Sequence, residues 1–356
     1  MNGKAQNTND PWLHRFAVLT AITTFLLLGL GGLVTSHDAG MSVPDWPTSY
    51  GYNMFALPIK FWHGGAFFEH TPRLLASAAG LLTTILTVWL WFKDSRKWMK
   101  WLGVLAFLLV AAQGVLGGLR VTMHMDSLGV FHGVLAQFFF VLTCAIALFT
   151  SRFWAELAAK QITFSVPRGL RSHVLFVTIL IFLQLVLGAT MRHQHAGLAI
   201  PDFPAAYGKI WPDTSPDAIA HYNAQRMDVN GENPITVFQI ILQMLHRLVA
   251  LAIFAGVASA AWLSVKRLGA ANTLTKFAWL WLALIVVQIL LGAWTVWSNK
   301  AADVATAHVL IGALSLLIGA FWCILAFRRP QSLAASVPTS EKSGSFSATP
   351  AMAANR

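Results

Sequence analysis

The chain has 356 residues, of which 56% are hydrophobic and only 11% charged, and it carries 15 Trp and 24 Phe; soluble domains are about a quarter charged. A soluble globular protein is thereby excluded. The net charge of +11 is not a nucleic-acid signature either, because most of the 25 Lys and Arg fall in alternate connections between apolar runs.

Eight stretches are long enough to cross a hydrocarbon core of about 30 Å, which takes roughly 20 helical residues. In chain order they cover about 15–34, 73–92, 99–120, 128–150, 172–191, 241–264, 276–297 and 304–327. The expected fold class is an all-α membrane protein, since lipid offers no partners for open backbone groups. The first run resembles a signal peptide in length, but the fifth is its internal copy and is read with it as a span. Lys93, Arg96, Lys97 and Lys100, then Arg152, Lys160, Arg168 and Arg171, then Lys266, Arg267 and Lys276, and finally Arg328 and Arg329 lie on one side. The positive-inside rule makes that side cytoplasmic and places both termini there, in a plasma or inner membrane. Cys144 and Cys323 fall deep in helices of different halves, so they read as core residues with no disulfide or zinc spacing. Residues 332–356, rich in Ser, Ala, Thr and Pro, read as a disordered cytoplasmic tail.

The chain is duplicated. "AGMSVPDWPTSYG" at 39–51 returns as "AGLAIPDFPAAYG" at 196–208, "RLLAS" from Arg73 as "RLVAL" from Arg247, and "QGVLGG" from Gln113 as "QILLGA" from Gln288. The expected units are therefore two tandem four-helix repeats over 1–165 and 166–331. An even number of spans gives both the same orientation. The Pro-Asp-aromatic-Pro segment reads as a rigid turn between helices one and two of each half, because proline fixes φ and Asp accepts local backbone bonds. Substrate contact is the alternative.

The chemistry-bearing residues sit at the even-numbered spans. Glu69 and His70 stand at the mouth of the second, His132 on the fourth, His246 on the sixth and His308 on the eighth. An ionisable residue within a span is a functional candidate by default. His246 and His308 share one depth in one half, which suits two imidazoles clamping a haem iron. No Cys or carboxylate lies near them in sequence to complete a zinc tetrahedron. Arg73 and Arg247 are candidates either for haem carboxylates or for snorkelling to the interface. In the first half Pro72 stands opposite His246, and Glu69 stands opposite Gln243. Glu69 is either a base or charge stabiliser for chemistry or a carboxylate at a helix N-terminus.

These features together resemble the haem A synthase family over nearly the whole chain to about residue 330. "EHTPRLLAS" resembles its Glu-x-x-His-Arg motif, "LHRLVA" the second-half partner, and "GGLRVTMHMDSLGVFHGVLAQ" the junction of helices three and four. The resemblance implies oxidation of the methyl group at ring position 8 of haem O to the formyl of haem A, with water-derived oxygen. It further implies haem b on His246 and His308, a substrate pocket with His132 as iron ligand, and Glu69 as the functional carboxylate. Its other first-half ligand falls on Pro72, which has no ligating side chain; either His70 substitutes or His132 binds alone. Haem O synthase, cytochrome oxidase assembly factors and a membrane quinone as electron acceptor are the expected partners, with homo-oligomer formation left open. A non-catalytic b-type cytochrome exchanging electrons with quinone is the alternative function.

Overall fold

The computed structural model describes residues 10–125, 127–160, 162–225 and 234–328. Ten α-helices are found among them and no strand: α1 (Pro11–Ser36), α2 (Gly64–Lys93), α3 (Lys97–Thr122), α4 (Ser127–Phe149), α5 (Arg152–Ala159), α6 (Arg168–His193), α7 (Pro216–Ala224), α8 (Val237–Leu268), α9 (Thr273–Trp297) and α10 (Ala302–Ala326). All but α5 and α7 are long and apolar enough to cross a membrane, so the chain is a multi-pass membrane protein, as its composition predicts. The tail expected over 332–356 lies outside the described residues.

Composition did not reveal α5 and α7, because neither is long or apolar enough to look like a span. Both begin at a serine whose hydroxyl accepts a backbone N–H, Ser151 from Trp154 at 3.1 Å and Ser215 from Ala218 at 3.3 Å, the usual N-terminal cap. The larger correction concerns α2. It starts at Gly64 rather than near 73, and Pro72 lies inside it. Hydropathy loses the first turns because they carry Glu69 and His70, yet both side chains are buried, at 6% and 1% exposure. Within α2, Pro72 leaves the Phe68 carbonyl without its helical donor.

In the first half α1 packs on α2 and α4, and α3 packs on the same two helices; in the second half α6 packs on α8 and α10, and α9 on those two. Each ring has its own apolar core. Leu13, Leu86, Leu90, Met99, Phe139 and Ile146 fill one, and Val174, Val257, Leu274, Trp281 and Trp322 the other. The rings meet where α1 lies on α10 and α4 on α6 and α10. Small residues permit that approach: a Cβ on Gly32 of α1 would stand 2.9 Å from Thr306 Cγ2 of α10.

The two long connections, 37–63 and the described parts of the second, 194–225 and 234–236, lie at the same end of the bundle, here termed the loop end. Their repeated motif folds as a turn in both halves. Asp45 accepts the backbone N–H groups of Tyr50 (2.6 Å) and Gly51 (2.8 Å), and Asp202 those of Tyr207 (2.7 Å) and Gly208 (2.8 Å). The tyrosine hydroxyls donate to Ser42 and Ala199 carbonyls, each at 2.5 Å. Gly51 and Gly208 have φ of +76° and +71°, which glycine adopts without steric penalty. These bonds make the motif a rigid turn, as its proline and aspartate content predicts.

Candidate functional site

The site is built in the loop-end turns of the even spans. His246 of α8 and His308 of α10 approach with ring centroids 6.4 Å apart and planes inclined at 53°. A metal–nitrogen bond of about 2 Å on each side, with about 1 Å more from nitrogen to ring centre, places two imidazoles sharing one iron about 6 Å apart. The observed separation therefore fits a single metal between the two rings. The Nδ1 atoms of both are buried and lack a hydrogen-bond partner among the described residues. No group of three His, Cys, Asp or Glu able to hold a metal occurs among the described residues, so this pair suits an iron whose other positions are filled by a macrocycle rather than a tetrahedral ion.

Glycines make the room around these rings. A Cβ on Gly188 of α6 would stand 3.4 Å from Cε1 of His246, and one on Gly292 of α9 would stand 3.1 Å from Cε1 of His308. Gly117 of α3 faces His132 in the same way, at 3.4 Å. Each glycine follows a glutamine by four residues: Gln113, Gln184 and Gln288. Gln184 donates to the His246 carbonyl at 2.8 Å and Gln113 to the His132 carbonyl at 3.0 Å, joining the helix that carries the glycine to the helix that carries the histidine. The Gln-x3-Gly spacing was visible in three spans of the sequence; its meaning required knowing which histidine each glycine faces.

The fourth such position departs from the pattern. Helix α1 repeats α6, so Leu27 stands for Gln184 and Gly31 for Gly188. Nothing lies within 4 Å of a Cβ added at Gly31, in keeping with Pro72 in place of His246. The first half thus offers His132, with Nδ1 buried and unpartnered among the described residues, and no imidazole across from it at the duplicated position.

His70 is turned elsewhere. Two residues from Pro72 is about 200° around a helix. Its Nδ1 lies 3.2 Å from Ser49 Oγ and its ring packs edge-on against Trp62 at 5.0 Å, both in the covering connection. The structure therefore groups His70 with the turn through Nδ1, and leaves its Nε2 buried without a hydrogen-bond partner among the described residues.

Glu69 and Arg73 also serve that turn. Glu69 Oε2 accepts the Val43 N–H at 2.7 Å and Oε1 meets Arg73 at 2.6 Å. Arg73 donates to the carbonyls of Asp45 (2.7 Å), Val43 (3.1 Å) and Thr48 (3.2 Å). In the second half Gln243 Oε1 accepts the Ile200 N–H at 2.7 Å, while Arg247 donates to Asp202 and Ala205 carbonyls at 2.8 Å each. Glu69 is not a helix cap; it binds the turn as Gln243 does, and differs by its charge.

A family model described as cytochrome oxidase assembly protein, COX15-CtaA, matches residues 14–320. A protein named heme A synthase from Lysinibacillus sphaericus (strain C3-41) is 28% identical over 325 residues, covering 87% of this chain and 93% of that relative. Proteins of the same name from Bacillus cereus (strain AH187) and Bacillus anthracis (strain CDC 684 / NRRL 3495) are 25% and 26% identical over 328 residues, covering 89% of this chain and 91% of each relative.

Proposed function

Because the chain belongs to the COX15-CtaA family of cytochrome oxidase assembly proteins, we propose that it oxidises haem O to haem A, using a b-type haem held by His246 and His308 in its second half. The activity follows the name shared by relatives that match nearly end to end. The placement of the resident haem rests on one observation: two buried imidazoles 6.4 Å apart, facing glycines that leave room around them.

A haem held by His246 and His308 would supply one-electron chemistry there, which the protein would tune through those two residues and their surroundings. The residues of the chain do the rest. Gln184 and Gln113 fix the helices that present His246 and His132, so each ring's direction is set before anything binds. In the first half His132 holds the substrate iron; the geometry favours it as the sole protein ligand over a pair with His70. Glu69 and Arg73 clamp the 37–63 connection over this pocket and limit the entry of water. Glu69 brings to the rim a carboxylate for which the second half has only an amide. Arg247 clamps the other connection in the same manner. A membrane quinone would take the electrons, and the excess of Lys and Arg in alternate connections supports cytoplasmic termini.

The experiment is haem extraction from cells expressing this chain with a haem O synthase. Haem A in the extract supports the reading, and an extract holding only haem B and haem O refutes it. A second reading, a b-type cytochrome without substrate chemistry, draws on Leu27, Gly31 and Pro72; it requires a reducible bis-histidine spectrum with no haem A.

A further inference from the structure

Haem O differs from haem B in one substituent: where haem B has a vinyl group, haem O carries a hydroxyl-bearing carbon and, beyond it, a farnesyl chain. A pocket that selects haem O has to offer a hydrogen-bond partner and then a long apolar bed, in that order outward from the ring. One face of α4 offers both. Gln137, five residues after His132, is 6% exposed, and its Oε1 is buried without a hydrogen-bond partner among the described residues. Leaving a buried amide oxygen unpaired is costly, and native folds rarely do so without a use for it. Four residues before it on the same face, a Cβ added at Gly133 would meet nothing within 4 Å, so there is open space beside His132, one turn from the amide.

Beyond Gln137 the same face continues with Phe140, Cys144 and Leu148, at three, seven and eleven residues further on. These line a cavity of about 430 Å³ in the seam between the halves, walled on the other sides by Phe25 of α1 and Leu317 of α10. The polar side chains at its far end are turned to the backbone: His14 Nδ1 lies 3.1 Å from the Ala147 carbonyl, and Ser151 donates to the Leu148 carbonyl at 2.6 Å. The dimensions match the chain. Gln137 to Leu148 is about 16 Å along a helix, and a farnesyl chain extended at about 1.2 Å per bond, as a backbone is, reaches about 15 Å. With each carbon taking about the space of one liquid water, about 30 Å³, that chain needs about 400–450 Å³.

The second half has neither feature. Val309 and Ala313 stand where Gly133 and Gln137 stand in the first, and Phe182 and Leu316, the repeat equivalents of Phe25 and Phe140, pack in the second-half core. A resident haem b has no hydroxyl and no tail to place. We propose that Gln137 accepts the hydroxyl of haem O and that the seam cavity receives its farnesyl chain, so that this face of α4 selects haem O over haem B. The inference rests on the reading of the first half as the haem O pocket.

The test is an optical titration of the purified full chain, made in cells without a haem O synthase so that haem b already fills the second half, with ferric haem O and with ferric haem B. The wild-type protein should bind haem O at least about a hundredfold more tightly, about tenfold of it from the hydrogen bond. Gln137→Ala should lose about tenfold for haem O and nothing for haem B. Cys144→Phe, which fills the cavity, should lose about tenfold or more for haem O alone; Leu317→Trp, on the facing wall, replaces it if that variant fails to accumulate. Equal affinity of the wild-type protein for the two haems would overturn the proposal, as would variants that weaken both ligands alike or neither. Loss in a cavity variant alone would remove Gln137, and loss in Gln137→Ala alone would remove the cavity. A wild-type chain that binds haem O selectively yet yields no haem A in the co-expression extract would refute the proposed activity and leave the selectivity standing.

Discussion

Glu69→Gln separates the carboxylate's charge from its hold on the turn, and the molecule already contains the control. At the equivalent place Gln243 accepts the Ile200 N–H at 2.7 Å and donates to the Ile200 carbonyl at 3.3 Å. An amide at 69 can therefore keep the Val43 bond, and it gains a donor for the Val43 carbonyl. What is lost is the 2.6 Å ion pair with Arg73, whose side chains are 11% and 7% exposed. Removing one partner of a buried pair outright costs about 3–5 kcal/mol. Here Arg73 retains three carbonyl acceptors, so the loss falls to about 1.5–3 kcal/mol, the value of one charged hydrogen bond. The variant should accumulate in the membrane with normal second-half haem and a slightly lower thermal midpoint in detergent. If the charge serves the oxidation, haem A in the co-expression extract should fall by about a hundredfold, within the range of a single acid–base or charge-stabilising group. Glu69→Ala, which also drops the Val43 bond, should lose stability as well. Undiminished haem A in Glu69→Gln would reduce Glu69 to a turn anchor and sink its proposed chemical role.

Gly292→Val should abolish the bis-histidine spectrum of the purified protein, because even a lone Cβ there stands 3.1 Å from the His308 ring. Gly31→Val, with nothing within 4 Å of its Cβ, should leave that spectrum intact; equal loss in both would refute the cradle argument. Pro72→His combined with Leu27→Gln rebuilds in the first half what α6 and α8 provide in the second, and should add a second bis-histidine signal on reconstitution with haem b. An unchanged spectrum would show that the first half has diverged beyond those two positions. Burial pushes the Asp45 carboxyl upward, but hydrogen bonds from Thr48, Gly51 and Tyr50 outweigh it and hold the group below its usual 3.8. A depressed folded pKa stabilises above the unfolded value and is lost as pH falls through the folded one. Proteolysis of the 37–63 connection should therefore quicken as pH drops below about 4, and Asp45→Ala should cleave readily at every pH; a pH response surviving in that variant would refute the assignment.

Much of this molecule could be read from the chain, and what could not has identifiable physical causes. The spans were legible because twenty apolar residues in a row have few other uses in a protein. That His246 and His308 would stand together was legible, because ionisable groups at one depth on two helices of one half are expensive unless paired or employed. The start of α2 was not: hydropathy averages over side chains, and Glu69 and His70 are buried by partners some 20 residues or more earlier in the sequence, Val43 and Ser49. Arg73 and Arg247 were open between haem and interface, and the structure shows a third use, the turn carbonyls, which no periodicity encodes.

The same duplication makes the first half intelligible as a changed copy. In the second half four positions act together: Gln184 holds the His246 backbone, Gly188 leaves space for the ring, and Gln243 holds the turn above it. In the first half Leu27 has no side-chain amide to donate, Pro72 has no imidazole, a Cβ at Gly31 would meet no atom within 4 Å, and Glu69 carries a charge in place of an amide. Random damage to a haem site would be expected to spread into its supports, yet the turn, its arginine clamp and the His132 side with Gln113 and Gly117 are all kept. On the proposed reading the loss is confined to one side of the first-half pocket. A pocket that binds a macrocycle from one side only, beneath an intact cover, is suited to a guest that must enter, react and leave. A pocket gripping iron between two imidazoles is suited to a cofactor that stays.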